Sequence, residues 1–230
     1  MATRIEPKAP RIPLSRERVL AAAVELADEG GIEAVTMRRL AQELGVEAMS
    51  LYYHVANKDE VLDGMIDAVM TELNTAVGAV KPDSDWKAEI RGRILTAREV
   101  LLRHRWAPGV LESRINMSPS VMQYFDSIGS RFMAAGFSMD LTHHAMHALG
   151  SRALGFTQEL FDSGDEAESD SEADAAMFEQ MAEQFPFLAD MARQVSHDDD
   201  STLGWCDDQF EFEFGLDLLL DGLERKLQDA

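Results

Sequence analysis

Apolar residues recur three and four positions apart along most of this chain, in runs punctuated by glycine and proline. That spacing marks one face of a helix, and it does not suit a pleated sheet, whose faces alternate at every second residue. Val19, Leu20, Ala23, Val24, Leu26 and Ala27 form the first stripe, with Ser15 as N-cap and Gly30-Gly31 as the stop. A shorter stripe of Leu40, Ala41 and Leu44 is opened by Thr36 and closed by Gly45, and a brief segment follows over 46–55. Asn57 and Glu60 have the spacing of a capping box, after which Val61, Leu62, Met65, Ile66, Val69, Met70 and Leu73 continue as a long amphipathic helix. Lys81-Pro82-Asp83-Ser84-Asp85 is a linker by composition. Beyond it, helices are expected near 85–104, 109–115, 119–135, 140–161, 175–195 (broken or kinked at Pro186) and 205–228. Pro108-Gly109 separates the first two, Ser118-Pro119 starts the third and Gly136 ends it. The expected fold is all-α.

Charge divides the chain in two. The formal net charge is −21, yet residues 1–58 hold eight basic side chains (Arg4, Lys8, Arg11, Arg16, Arg18, Arg38, Arg39, Lys58) and eight acidic ones, so the whole deficit lies in 59–230. Phosphate can approach the first part and is repelled by the second, so the two parts are expected to have different partners. One cysteine, Cys206, cannot form an internal disulfide, which fits a reducing compartment. The basic, proline-bearing N-terminus lacks the apolar core of a signal peptide, and no stretch approaches the roughly 18 apolar residues of a membrane helix. A cytoplasmic protein without a membrane partner is expected.

Residues 36–58, TMRRLAQELGVEAMSLYYHVANK, combine two short helical stretches joined at a glycine. This is the arrangement of a helix-turn-helix, whose second helix enters the DNA major groove. Leu40, Ala41, Leu44, Val46 and Leu51 form its inward face, leaving Ala48, Met49, Ser50, Tyr52, Tyr53 and His54 to point outward from a helix too short to be stable alone. Groove contact explains such a surface: hydroxyls and imidazole reach phosphates or base edges, and Ala48 or Met49 can touch a thymine methyl.

The run from Arg16 to Leu73, and above all GIEAVTMRRLAQELGVEAMSLYYHVANKDEVLD, resembles the DNA-binding domain of TetR-family transcriptional repressors. Trp86, the Gly136-Phe137-Ser138 turn and FEFGLDLLLDGLERKL at 212–227 resemble the effector domain of the tetracycline-repressor subgroup. The resemblance implies DNA contacts from Thr36, Met37 and Arg38, from Ala48, Met49, Ser50, Tyr52, Tyr53 and His54, and from Lys58. Arg38 and Lys58 sit beside helix starts and are expected on phosphates, whereas Arg39 is expected on a solvated face and Tyr52 can either pack between helices or reach phosphate. In tetracycline repressors a histidine helps hold a drug-bound magnesium ion. Leu111 stands at that place here, although Glu159 matches an acidic residue of the pocket, which argues against tetracycline–magnesium as the ligand.

Other chemical signals are weaker. His143 and His147 stand one helical turn apart, as in a zinc pair, but His144 occupies the place where the zinc-protease motif needs glutamate, and spacing offers no third ligand. Pocket lining or a dimer-face hydrogen bond is the reading for these histidines, with no metal and no cofactor. The acidic run 162–174 and Asp198-Asp199-Asp200 lack the glycine and terminal glutamate of a calcium loop; they are read as solvated charge, with 162–174 a possible gate. Cys206 with His197 and Asp207 does not define a triad.

The expected architecture is an N-terminal three-helix DNA-binding domain over 14–74, with its helix-turn-helix at 36–55, and a larger helical ligand-binding and dimerisation domain over 83–230. The expected function is a non-enzymatic repressor that binds double-stranded, near-palindromic operator DNA as a homodimer and is released by an apolar small-molecule inducer. Candidate pocket residues are Leu102, Trp106, Leu111, Met117, Met122, Phe125, Met133, His143, His147, Phe156 and Glu159. Candidate dimer residues are Phe210, Phe214, Leu218, Leu219, Leu220 and Leu223. The alternative from another class is a helical small-molecule-binding or metal-dependent enzyme with an appended helix-turn-helix, which the absence of paired catalytic carboxylates or a nucleophile motif disfavours.

Overall fold

The computed structural model describes residues 13–83, 85–114, 117–155 and 208–229, with a few positions between 182 and 190. Every regular element among the described residues is helical. In chain order these are α1 (Arg16–Gly30), a short 3₁₀ turn (Ile32–Ala34), α2 (Met37–Leu44), α3 (Ala48–Leu51), α4 (Lys58–Gly78), α5 (Trp86–Arg103), α6 (Ala107–Glu112), α7 (Pro119–Ala134), α8 (Met139–Gly155) and α9 (Asp208–Gln228). The all-α expectation is met.

The helix starts follow from side chains that satisfy otherwise orphaned N–H groups. Ser15 Oγ accepts from Arg18 N (3.3 Å) and Thr36 Oγ1 from Arg39 N (3.1 Å). Asn57 Oδ1 accepts from Glu60 N (2.8 Å), while Glu60 Oε2 reaches back to Ala56 N (2.7 Å), one residue earlier than a standard capping box. Pro108-Gly109 does not separate two helices as expected. It lies in the first turn of α6, where proline's missing N–H has no intrahelical partner to lose.

Packing gathers the chain into two compact units, Met1–Gly78 with Glu99–Tyr124, and Ala79–Arg98 with Phe125–Ala230. In this division residues 99–124 cluster with the N-terminal helices. The reason is visible in the first unit, where α6 packs on α4. Its core joins Val19, Ala23 and Leu26 of α1 to Leu40, Leu51 and Val55 around the turn and to Val61, Met65, Val69 and Leu73 of α4. A Cβ on Gly64 would stand 2.6 Å from Leu20 Cδ2, so glycine is what lets α4 approach α1 this closely.

The second unit centres on Phe132, Phe212, Leu216, Leu220 and Ile90, with α8 packed on α9. Trp86 meets Phe137 edge-on at 4.9 Å, and Phe137 lies 4.9 Å from Phe132. Buried Glu89 accepts from Arg93 (3.0 Å) and Arg131 (3.1 Å), so this charge is not left unpaired inside. Along the outside, α5 is laced to α9: Arg91 bonds Asp217 (2.7 Å) and Glu213 (2.6 Å), and Lys87 pairs with Asp221 and Glu224.

Candidate DNA-reading head and ligand cleft

The turn between α2 and α3 is built on Gly45, held at φ +64° and ψ +36°, a left-handed conformation that penalises a Cβ. Its N–H bonds Gln42 O (3.1 Å) and Val46 N bonds Ala41 O (2.9 Å), which closes α2 and aims the chain into α3. Helix α3 has only four residues, shorter than its motif led one to expect, and the chain continues from it as a turn through 52–54. Leu51 and Val55, fully buried, anchor that segment to the core.

With those anchors inward, the opposite side is presented to solvent. Met49 is 72% exposed, Tyr53 88% and Tyr52 46%. Ala48, Ser50 and His54 are half-buried beside them. Thr36 and Arg38 are exposed at the start of α2, with Met37 half-buried, and Lys58 is exposed at the start of α4. Large apolar and aromatic side chains left in water beside cationic ones are an unfavourable surface for an isolated domain, and one suited to a polyanion with apolar groove features.

The same unit contains a cleft of ≈ 210 Å³ between α4, α6 and the start of α7, lined by Asp63, Ile66, Leu111, Arg114, Met117, Ser118 and Val121. Two of the expected pocket residues, Leu111 and Met117, meet there. Arg114 Nη1 crosses to α4, reaching Asp59 (3.2 Å) and Asp63 (3.3 Å). Beside it, Ser120 Oγ donates to Asp67 (2.5 Å), and Asn74 Nδ2 donates to Ser120 O (2.8 Å). An apolar floor with a cation, carboxylates and a hydroxyl at its edge suits an apolar molecule with a few polar groups.

Several expected pocket residues lie elsewhere. Trp106 is buried, but its Nε1 donates to Asp28 Oδ1 of α1 (2.7 Å) and it does not line the cleft. His143 and His147 are exposed on α8 with ring centroids 4.5 Å apart and do not line this cleft. Met122 and Met133 are exposed and Leu102 and Phe125 half-buried, none of them on the cleft. Phe156, Glu159, Cys206, His197 and the runs 162–174 and 198–200 lie outside the described residues, as does the basic arm with Arg4, Lys8 and Arg11. Among the described residues no group of three or more His, Cys, Asp or Glu is placed to hold a metal ion. No described helix is long and apolar enough to cross a membrane.

The candidate dimer residues fall into two sets. Phe210 (55%), Phe214 (54%) and Leu218 (54%) form an exposed row at four-residue spacing on α9. Leu220 and Leu223 point the other way and are buried within the protomer's own core, and Leu219 is half-buried between the sets. The six apolar residues therefore lie on two faces of one helix.

Comparison with known proteins bears on both regions. Residues 19–65 match the family model for bacterial regulatory proteins of the tetR family, and residues 80–227 match the tetracyclin repressor-like C-terminal domain. The class D tetracycline repressor protein of Escherichia coli is 31% identical over 220 residues, covering 93% of this chain and 91% of that one. An HTH-type transcriptional regulator of Saccharopolyspora erythraea is 36% identical over 124 residues, spanning 54% of this chain and about half (51%) of that one. The solved structure of the Streptomyces coelicolor TetR family protein ActR in complex with actinorhodin superposes with a TM-score of 0.71 at 26% identity, covering 94% of this chain and 99% of that one. The curated relatives are transcriptional regulators, and they leave the enzyme alternative without support.

Proposed function

The chain belongs to the TetR family of transcriptional regulators, and on that premise we propose that it is a homodimeric repressor whose grip on operator DNA is released when an apolar small molecule fills the cleft against α4. The head at α2–α3 reads the operator: Arg38 and Lys58 take phosphates, and Met49, Tyr53 and their neighbours face the major groove. The observation that carries the reading is the position of the cleft. Ile66 and Asp63, which line it, belong to the same helix whose first turns pack on α1 beneath the head. A molecule that occupies the cleft and holds α4 displaced favours one placement of the head over another, and occupancy alters DNA affinity only through that difference.

The ligand proposed is an apolar or aromatic body with one or two polar groups, matched by Ile66, Leu111, Met117 and Val121 on one side and by Arg114, Asp63 and Ser118 on the other. That a similar protein is solved with actinorhodin bound supports a small organic molecule as the effector. The test is a thermal-shift screen for compounds that raise the melting temperature, followed by fluorescence anisotropy on labelled operator. Release of operator over the same concentrations that stabilise the protein is expected. A compound that fills the cleft, protects against heat and leaves operator affinity unchanged would refute the switch.

A further inference from the structure

His104, in the turn between α5 and α6, is buried, and both of its ring nitrogens face carboxylates from two different helices. Nδ1 lies 2.8 Å from Asp28 Oδ1 on α1, and Nε2 lies 3.3 Å from Glu72 Oε2 on α4. The charged and polar groups around this cluster complete it. Arg103 Nη2 bonds the other oxygen of Glu72 (2.5 Å), and Trp106 Nε1 donates to the same Asp28 oxygen as His104 (2.7 Å). The Glu72 carboxyl is held below the usual carboxylate range, first by Arg103 and then by His104.

We propose that His104 is the positioning residue through which α6, and so the occupancy of the cleft, acts on the DNA-reading head. This rests on the proposed function, since it requires that the cleft and the head communicate. The chain from Trp106 runs directly into α6, whose Leu111 lines the cleft. Helix α6 is thus tied at its start to α1 and to the later turns of α4 through His104 and Trp106. Just past its end it is tied to the first turns of α4 through Arg114 on Asp59 and Asp63. A group that widens the cleft pushes α6 away from α4. The Arg114 tie, made to carboxylates that are mostly exposed, gives readily in water. The His104 tie is buried and two-sided, so α6 pivots there and α1 moves with it.

Hydrogen-bond chemistry adds a condition. A neutral imidazole has one N–H and can donate to only one of the two carboxylates, turning a lone pair towards the other. Only the imidazolium serves both. The tie between α1 and α4 is therefore two-sided for the imidazolium and one-sided for the neutral ring.

The test uses the full-length protein, an operator duplex selected by the wild type from a randomised library, and Leu111→Trp as a permanent occupant of the cleft. In the wild-type background Leu111→Trp is expected to weaken operator binding about 10-fold or more, and in a His104→Gln background by less than about 3-fold. Asp28→Asn provides a second background, expected to behave like His104→Gln, in case the first variant is poorly folded by melting. Equal weakening in the wild-type, His104→Gln and Asp28→Asn backgrounds overturns the role of His104 and leaves the proposed function standing. No effect of Leu111→Trp on wild-type operator binding overturns both.

Discussion

Replacing Phe214 with alanine separates the two faces of α9. The ring is 54% exposed in the protomer, which leaves about 100 Å² of apolar surface in water. Burying that area contributes roughly 2.5 kcal/mol at ~25 cal/mol per Å². A two-fold interface uses the side chain once from each copy, so Phe214→Ala removes the contribution twice. Allowing for the methyl that remains, association weakens by about 3–4 kcal/mol, or roughly 10²–10³-fold in Kd. Leu220 is fully buried inside the protomer, and Leu220→Ala should instead destabilise the fold by about 2–5 kcal/mol through the cavity it leaves. Sedimentation velocity across a concentration series distinguishes the two: Phe214→Ala shifts the monomer–dimer midpoint while keeping the helical spectrum, and Leu220→Ala lowers the melting temperature. If Phe214→Ala sediments as the wild type at every concentration, the exposed row is not the interface.

Three further outcomes are expected. Arg38→Ala and Lys58→Ala should each weaken binding to all duplexes alike and reduce the slope of log K against log salt by about 1, measured by anisotropy at several salt concentrations. Substituting Met49 should change which bases a selected operator prefers, with the salt slope unaltered. The carboxyls of Glu213, held low by Gln209 and Arg91, and of Asp221, held low by Lys87, support the fold when ionised; their stabilising contribution is present at neutral pH and is lost as pH falls below the usual values, 4.5 for the glutamate and 3.8 for the aspartate, through their depressed ones. Thermal melts should therefore show an acid-side loss of stability that Arg91→Ala makes smaller, because the variant no longer favours the ionised form.

Local signals were legible in the sequence and distant ones were not. Ser15, Thr36, Asn57 and Ser118 announce helix starts because a cap is chosen within three or four residues of the N–H it satisfies, and Gly45 announces the turn because its backbone demands left-handed φ. The exposure of Met49, Tyr52 and Tyr53 followed from the same local pattern. The cleft was half legible: Leu111 and Met117 stand within one short stretch, but Asp63 and Ile66 join them from about fifty residues earlier, and no spacing rule connects α4 with α6. Trp106 was expected in a pocket because it lies in the helical region after Pro82; its partner Asp28 lies 78 positions away and is invisible to periodicity. His104 has no motif around it, and its two carboxylates become apparent only once α1 and α4 are folded beside it. Helix α9 is ambiguous for a different reason. A helix with apolar residues on two sides has two faces to cover, and sequence alone does not say which one the protomer covers itself.

In vitro selection from a randomised duplex library with the full-length protein tests the central claim most directly. Two reading heads related by a two-fold axis predict enrichment of a near-palindrome whose half-sites lie about one helical turn, roughly 34–36 Å, apart, with the enriched bases altered when Met49 is substituted. Recovery of sequences with no common half-site, bound no more tightly than random duplex, would contradict it.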